Sequence, residues 1–274
     1  MNLIFSNKLK LIKSLILISC SLLLSISCEN DSKFSDPKND EYNIENTIDE
    51  KILLRLTPEI GDKISNELKL EIRPNRGIIP LNTEVIANLN MRVNASNESG
   101  NILHLDFQRF RMSTDLMGAK VNYDSQSGEN ALPQEMTDEF EKLLAKKIIM
   151  NVDSLGQIEA IKMQDEMLKS ESLNMNLNAI FLTFPSEKVG TGDFWTRSQT
   201  IVGLGEIEIK FVVDKITESK VLIQILPSDR NDRIYDIEGT YLIDRKSGFA
   251  EKGTLEVKDD SRKIEVKISL NSDL

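Results

Sequence analysis

Cysteine and histidine are almost missing from this chain. Its 274 residues include two cysteines, one histidine and one tryptophan. Both cysteines, Cys20 and Cys28, lie near the N-terminus. If one is an anchor and the other leaves with a leader, no free thiol remains, and thiol catalysis, a disulfide framework and a cysteine-ligated metal drop out together. A single histidine, His104, excludes a typical zinc site, and no calcium-loop spacing of acids with its glycine and terminal glutamate occurs. Phosphate loops and dinucleotide fingerprints are also missing, because Gly203-Leu-Gly205 lacks the third glycine and a following helix. No metal and no cofactor is therefore expected.

Positive charge is scarce as well. The formal charge is −10, and the only charged residues before Cys28 are Lys8, Lys10 and Lys13, so the remainder is more acidic than the whole. That sign repels nucleic acid and anionic head groups, and no basic stripe interleaved with aromatics offsets it. Hydrophobic residues make up 40% and charged ones 28%, the balance of a folded soluble domain rather than a disordered chain.

The first 27 residues have the order of a secretory leader: a lysine-bearing start, the apolar stretch 14–27, and Cys28 followed by polar Glu29-Asn30-Asp31-Ser32. The apolar run is too short and serine-rich for a membrane span of about 20 residues. The leader resembles the lipobox of bacterial lipoproteins, in which a small residue, here Ser27, precedes a cysteine that is acylated after cleavage. The resemblance implies lipidation of Cys28. The usual leucine three positions before the cysteine is replaced by Ser25, with Leu24 beside it. Leu17-Ile-Ser-Cys20 fits the four-residue pattern better, but cleavage there leaves a very short apolar core and puts the apolar stretch 22–26 on the mature end.

Residues 28–50 are rich in Asn, Asp, Glu, Lys and Ser, include Pro37, and read as an acylated flexible tether. Folding is expected from Lys51 to Leu274. Val85, Ala87, Leu89, Met91 and Val93 alternate with polar residues, as do Ile264, Val266, Ile268 and Leu270, which marks strands with one buried face and antiparallel sheet. Further strands are expected over 64–72, 102–112, 148–152, 207–213, 221–226, 240–243 and 254–258, with polar turns at Asn97-Glu-Ser-Gly100, Asp153-Ser-Leu-Gly156 and Lys258-Asp-Asp-Ser261. Over 134–147, Met136, Phe140, Leu143 and Leu144 share a helical face, with acids early and lysines late. The stretch 163–181, with Met163, Met167 and Met175, also reads as helical, its methionines filling core.

Shifted by 120 residues, the chain partly matches itself. Leu89, Met91 and Val93 fall on Ile209, Phe211 and Val213; Glu98-Ser99 falls on Glu218-Ser219; and both Asp124–Gly128 and Asp244–Gly248 read D-x-x-S-G. Gly61-Asp62 and Gly192-Asp193 would open the halves at a slightly larger shift. The fold class expected is mainly β (α+β), with antiparallel sheets from two related halves, 51–156 and 182–274, and one or two amphipathic helices between them.

Candidate chemistry is thin. On a strand, His104 and Asp106 share a face opposite Leu103, Leu105 and Phe107, so an acid–base pair is conceivable, but nothing nearby resembles a nucleophile with an oxyanion-stabilising loop. No pair among the 44 acids is singled out for carboxylate catalysis. The segment Phe184-Pro-Ser-Glu-Lys-Val-Gly-Thr-Gly-Asp-Phe-Trp195, with Tyr123-Asp-Ser125 and Val152-Asp-Ser-Leu-Gly-Gln157, looks like a widespread family of uncharacterised bacterial envelope lipoproteins. The resemblance implies a β-rich architecture and an envelope location, and assigns no activity. Trp195 is expected to anchor the start of a strand in the core.

The expected function is a non-catalytic lipoprotein of the cell envelope, anchored to the outer membrane through its acyl chain, that binds a protein partner or supports the envelope. The alternative is a carrier of an acyl chain or other apolar ligand, for which curved sheets must enclose a cavity.

Overall fold

The computed structural model describes residues 46–74, 82–97, 99–116, 119–127, 132, 134–163, 166–167, 180–201, 204–228 and 235–274. Cys20, Cys28 and most of the expected tether lie outside these residues. The described chain is built almost wholly of antiparallel β-structure: β1 (Lys63–Pro74), β2 (Thr83–Asn97), β3 (Gly100–Leu116), β4 (Ala119–Asp124), β5 (Ile148–Val152), β6 (Ile158–Met163), β7 (Glu166–Met167), β8 (Phe194–Ile201), β9 (Gly205–Ile216), β10 (Lys220–Pro227), β11 (Tyr235–Asp244), β12 (Ala250–Asp259) and β13 (Ile264–Asp273), with one helix, α1 (Gln134–Leu144), between β4 and β5.

The strands form one sheet in the order β7-β6-β5-β3-β2-β1-β13-β12-β11-β10-β9-β8, with β4 on β3. This corrects the expectation of separate sheets. The joint is β1 against β13, continuous from Ser65↔Asp273 to Pro74↔Ile264. Leu68, Leu70 and Ile72 face the same side as Leu270, Ile268 and Val266, so pairing them extends one apolar face across the two halves instead of leaving two faces to stack.

That face curls on itself. Val85, Leu89 and Met91 of β2 and Val221, Ile223 and Ile225 of β10 belong to one contiguous buried cluster although several strands separate them in the sheet. Adjacent residues Leu56 and Thr57 bond to Ser154 between β5 and β6 and to Ser247 between β11 and β12, turns on opposite sides of the strand order, and only a strongly bent sheet brings them together. The outer face carries cross-strand ion pairs, among them Lys69 with Glu84 and Arg73 with Glu265, at 2.8 and 3.6 Å.

The helix expected over 134–147 is present as α1, with Lys142 in its last turn. Its position differs from the expectation. Against β3, β4 takes Arg111–Leu116 and β5 takes Asn101–Leu105. The helix therefore sits inside the first half, as an excursion between two strands that share one flank of β3. The second expected helix is not formed where it is described: Met163 closes β6 opposite Ile148, and Glu166 turns back onto it as β7. Ile161 and Met163 are buried at strand spacing, so period-two burial wins over the methionine spacing; residues 164–165 and 168–179 lie outside the described residues.

A strap crosses one end of the curled sheet. Ile52, Leu54 and Leu56 are buried, and the strap bonds in turn to Val189, to Ser154 between β5 and β6, and to Ser247 between β11 and β12. The fold reaches slightly ahead of Lys51, because Ile48 donates its N–H to Ile216. Equivalent bonds recur in the two halves. Gly61 N–H reaches Val93 and Val93 N–H reaches Asp62; Gly192 N–H reaches Val213 and Val213 N–H reaches Asp193. Both glycines have positive φ, 98° and 85°. Each aspartate also accepts the N–H three residues back, from Glu59 and from Gly190.

Candidate ligand cavity

The cavity is shaped by an irregular segment that enters the curled sheet. Residues 180–184 run beneath the inner face, with Ile180, Phe181, Leu182 and Phe184 all buried. Their hold comes from the Asp153-Ser-Leu-Gly156 turn. The Asp153 carboxylate accepts the N–H groups of Leu155 and Gln157, and the Leu155 carbonyl accepts the N–H of Phe184 at 2.7 Å. Gly156, at φ 83°, passes so near the Leu182 carbonyl that a Cβ would lie 2.3 Å from its oxygen. A left-handed backbone in contact with a neighbouring main chain is what glycine alone supplies.

Trp195 secures the other side. Its ring stacks on Phe211, centroids 5.5 Å apart and planes 19° apart, and its indole N–H donates to the Thr183 carbonyl at 2.9 Å. It is buried at the start of β8, in the core-anchoring role expected of it.

Between this segment and the sheet lies a cavity of about 280 Å³. Its walls are Phe181, Leu182, Phe211, Ile225, Tyr241 and Leu255, and its rim is Gln157, Ile158 and Thr183 on one side and Arg197, Ser198 and Gln199 on the other. The rim thus takes residues from the start of β6 and from the edge strand β8, so the cavity opens at the seam between the two ends of the curled sheet. Tyr241 is accommodated by Gly253 directly across the strand pair, where a Cβ would come within 2.4 Å of the ring. Burial holds the Tyr241 phenol well above its ordinary pKa.

Arg197 was not singled out in the sequence. It pairs with Ile209, as Trp195 pairs with Phe211 and Gln199 with Ile207, so it faces inward. Its guanidinium donates to the Phe184 carbonyl at 3.2 Å and the side chain remains exposed at the rim. The signal was the alternation of Trp195, Arg197, Gln199 and Ile201, which becomes legible once β8 is recognised as a strand.

The other sequence candidates do not converge on this place. His104 and Asp106 lie on the outer face opposite buried Leu103 and Leu105, as their alternation requires, and the imidazole meets the Asn94 amide at 3.2 Å. Cys28, the expected lipidation site, lies outside the described residues. Among the described residues no group of three His, Cys, Asp or Glu is arranged to hold a metal ion, and no helix is long and apolar enough to cross a membrane.

The chain matches no protein-family model and no curated protein. Three solved structures are similar to it at a distance. A β-barrel-like protein of domain of unknown function DUF1849 from Brucella abortus is 12% identical, with 81% of this chain and 99% of that chain covered and a TM-score of 0.33. A DUF1329 family protein from Desulfovibrio piger is 11% identical over 78% of this chain and 87% of that one, at a TM-score of 0.22. A domain provisionally named an outer membrane lipoprotein-sorting protein, from Vibrio parahaemolyticus, is 9% identical over 79% and 86%, at a TM-score of 0.21. At such scores and identities none of the three bears on what this chain binds.

Proposed function

We propose that this protein is a non-catalytic lipoprotein of the bacterial cell envelope, held by an acylated Cys28 on a tether, whose curled sheet is a binding module for an apolar chain. The observation that carries the binding role is the cavity at the seam, with apolar walls from Phe211, Ile225 and Leu255 and a polar rim. A site that buries an apolar ligand and orients it with a few polar groups has this make-up. The leader order and the small residue before Cys28 support the anchor and the envelope location, and Cys20 is its competitor. A partner-binding role, without a small ligand, is the second reading.

The test is extraction of the chain from its native membranes followed by mass spectrometry of the protein and of the lipids that accompany it. An acylated Cys28 terminus with a stoichiometric apolar ligand is the expected result. An unmodified terminus removes the anchor, acylation at Cys20 moves it, and a ligand-free protein that crosslinks to an envelope partner leaves the second reading in place of the first.

A further inference from the structure

We propose that Arg197 makes the cavity selective for a single-chain amphiphile with a carboxylate head, a fatty acid being the simplest. Resting on the cavity reading above, the proposal adds the charge and size of the ligand. Among the described residues, Arg197 is the one basic side chain on the inward positions of the strands, in a chain whose formal charge is −10. Inward strand positions are otherwise filled by residues such as Trp195, Ile201, Phe211 and Ile225, all buried. A cation placed there costs desolvation unless it stays at a wet rim or meets an anion.

The position of Arg197 satisfies the first condition and leaves the second to a ligand. It stands at the rim, and no acidic residue lines the cavity. The guanidinium has five N–H donors, and its hydrogen bonds go only to the backbone carbonyls of Phe184 and, at 3.4 Å, Thr196. That geometry leaves the planar fork able to take a carboxylate in two parallel hydrogen bonds, the strong form of this pair. Gln199, inward on the same strand, adds a neutral donor at the mouth. The apolar walls behind then receive the chain. The volume, about 280 Å³, lies just below the usual range of ligand sites, about 300 to 1,000 Å³, and so suits one acyl chain and not a two-chain lipid.

The experiment uses the chain from Glu29 onward, which contains every described element and no acyl anchor. Trp195 is the only tryptophan and stacks on a cavity wall, so its emission reports occupancy. Dodecanoate and its methyl ester are titrated against the unaltered chain, Arg197→Gln and Arg197→Lys, with circular dichroism confirming that each is folded. The carboxylate is expected to bind at least about tenfold tighter than the ester. Arg197→Gln should abolish that preference without weakening the ester, and Arg197→Lys should keep part of it. Equal binding of acid and ester by the unaltered chain, or a preference that survives Arg197→Gln, overturns the role of Arg197 while the cavity stands. Binding of neither probe overturns the cavity reading itself.

Discussion

The indole of Trp195 and the carbonyl of Thr183 are joined by a 2.9 Å hydrogen bond that ties the edge strand β8 to the segment lying inside the sheet. Stacking of the same ring on Phe211 places the tie directly behind the cavity wall. Replacing Trp195 with Phe keeps an aromatic ring there and leaves the Thr183 carbonyl without its donor. A loss of about 1–3 kcal/mol in denaturant unfolding, followed by circular dichroism, is expected. An unchanged midpoint would mean that the tie carries no stability.

Two glycines with nearly the same φ separate backbone strain from crowding. Gly192 has φ 85° and open space where a Cβ would be, whereas Gly156 has φ 83° and the Leu182 carbonyl in the way. Gly192→Ala should cost about 1 kcal/mol from strain alone, and Gly156→Ala clearly more, because residues 182–183 must move. Thermal unfolding of the two variants side by side gives the comparison, and equal shifts would sink it.

Acid should loosen the first half in part through Asp124. The Arg109 guanidinium, bonded to Asp124 at 2.5 Å, together with the Gln126 N–H, holds the Asp124 carboxyl down at about 2. A folded pKa below the unfolded value near 3.9 gives stability that is present above about pH 4 and is lost as pH falls toward about 2. Asp124→Asn should flatten the stability profile across that window. A profile with the same slope in both proteins would assign the acid loss to other groups.

Alkali acts on the opposite side of the sheet. Burial raises the Tyr241 phenol, so folding disfavours its ionisation, and the associated stability is complete below about pH 10 and declines above it. Tyr241→Phe is expected to reduce the alkaline loss measured by unfolding at several pH values above 9 or so. Tyrosinate absorbance appearing in full before unfolding would contradict a buried Tyr241.

The strap across the sheet end can be tested by a single truncation. Leu56 is buried and its N–H reaches the Ser154 carbonyl, so Leu56→Ala should cost about 2–5 kcal/mol. A change below about half a kcal/mol in chemical denaturation would show the strap to be dispensable.

Strand existence was legible where one face is buried and one is wet. The stretch 148–152 matches β5 end for end, and the alternations at 85–93 and 264–270 lie inside β2 and β13. The strands missed are the ones with a weaker code. In β8, Trp195 and Ile201 mark the inner face, but Arg197 and Gln199 occupy inward positions between them and interrupt the alternation. Met163 and Met167 misled in the other direction, because methionine packs equally well from a helix or a strand and its spacing carries little information. The cavity was not readable at all, since its lining comes from β8 to β12, the start of β6 and the segment at 181–183.

By itself the sequence determined the antiparallel β class and the polar turns, because side-chain alternation and local backbone preferences are short-range properties. Only the tertiary structure decided that the two halves share one sheet through β1 and β13, and that Arg197 stands at the mouth of a cavity. Both depend on pairing between residues far apart in the chain, which is settled by how an entire apolar face closes on itself rather than by any local pattern.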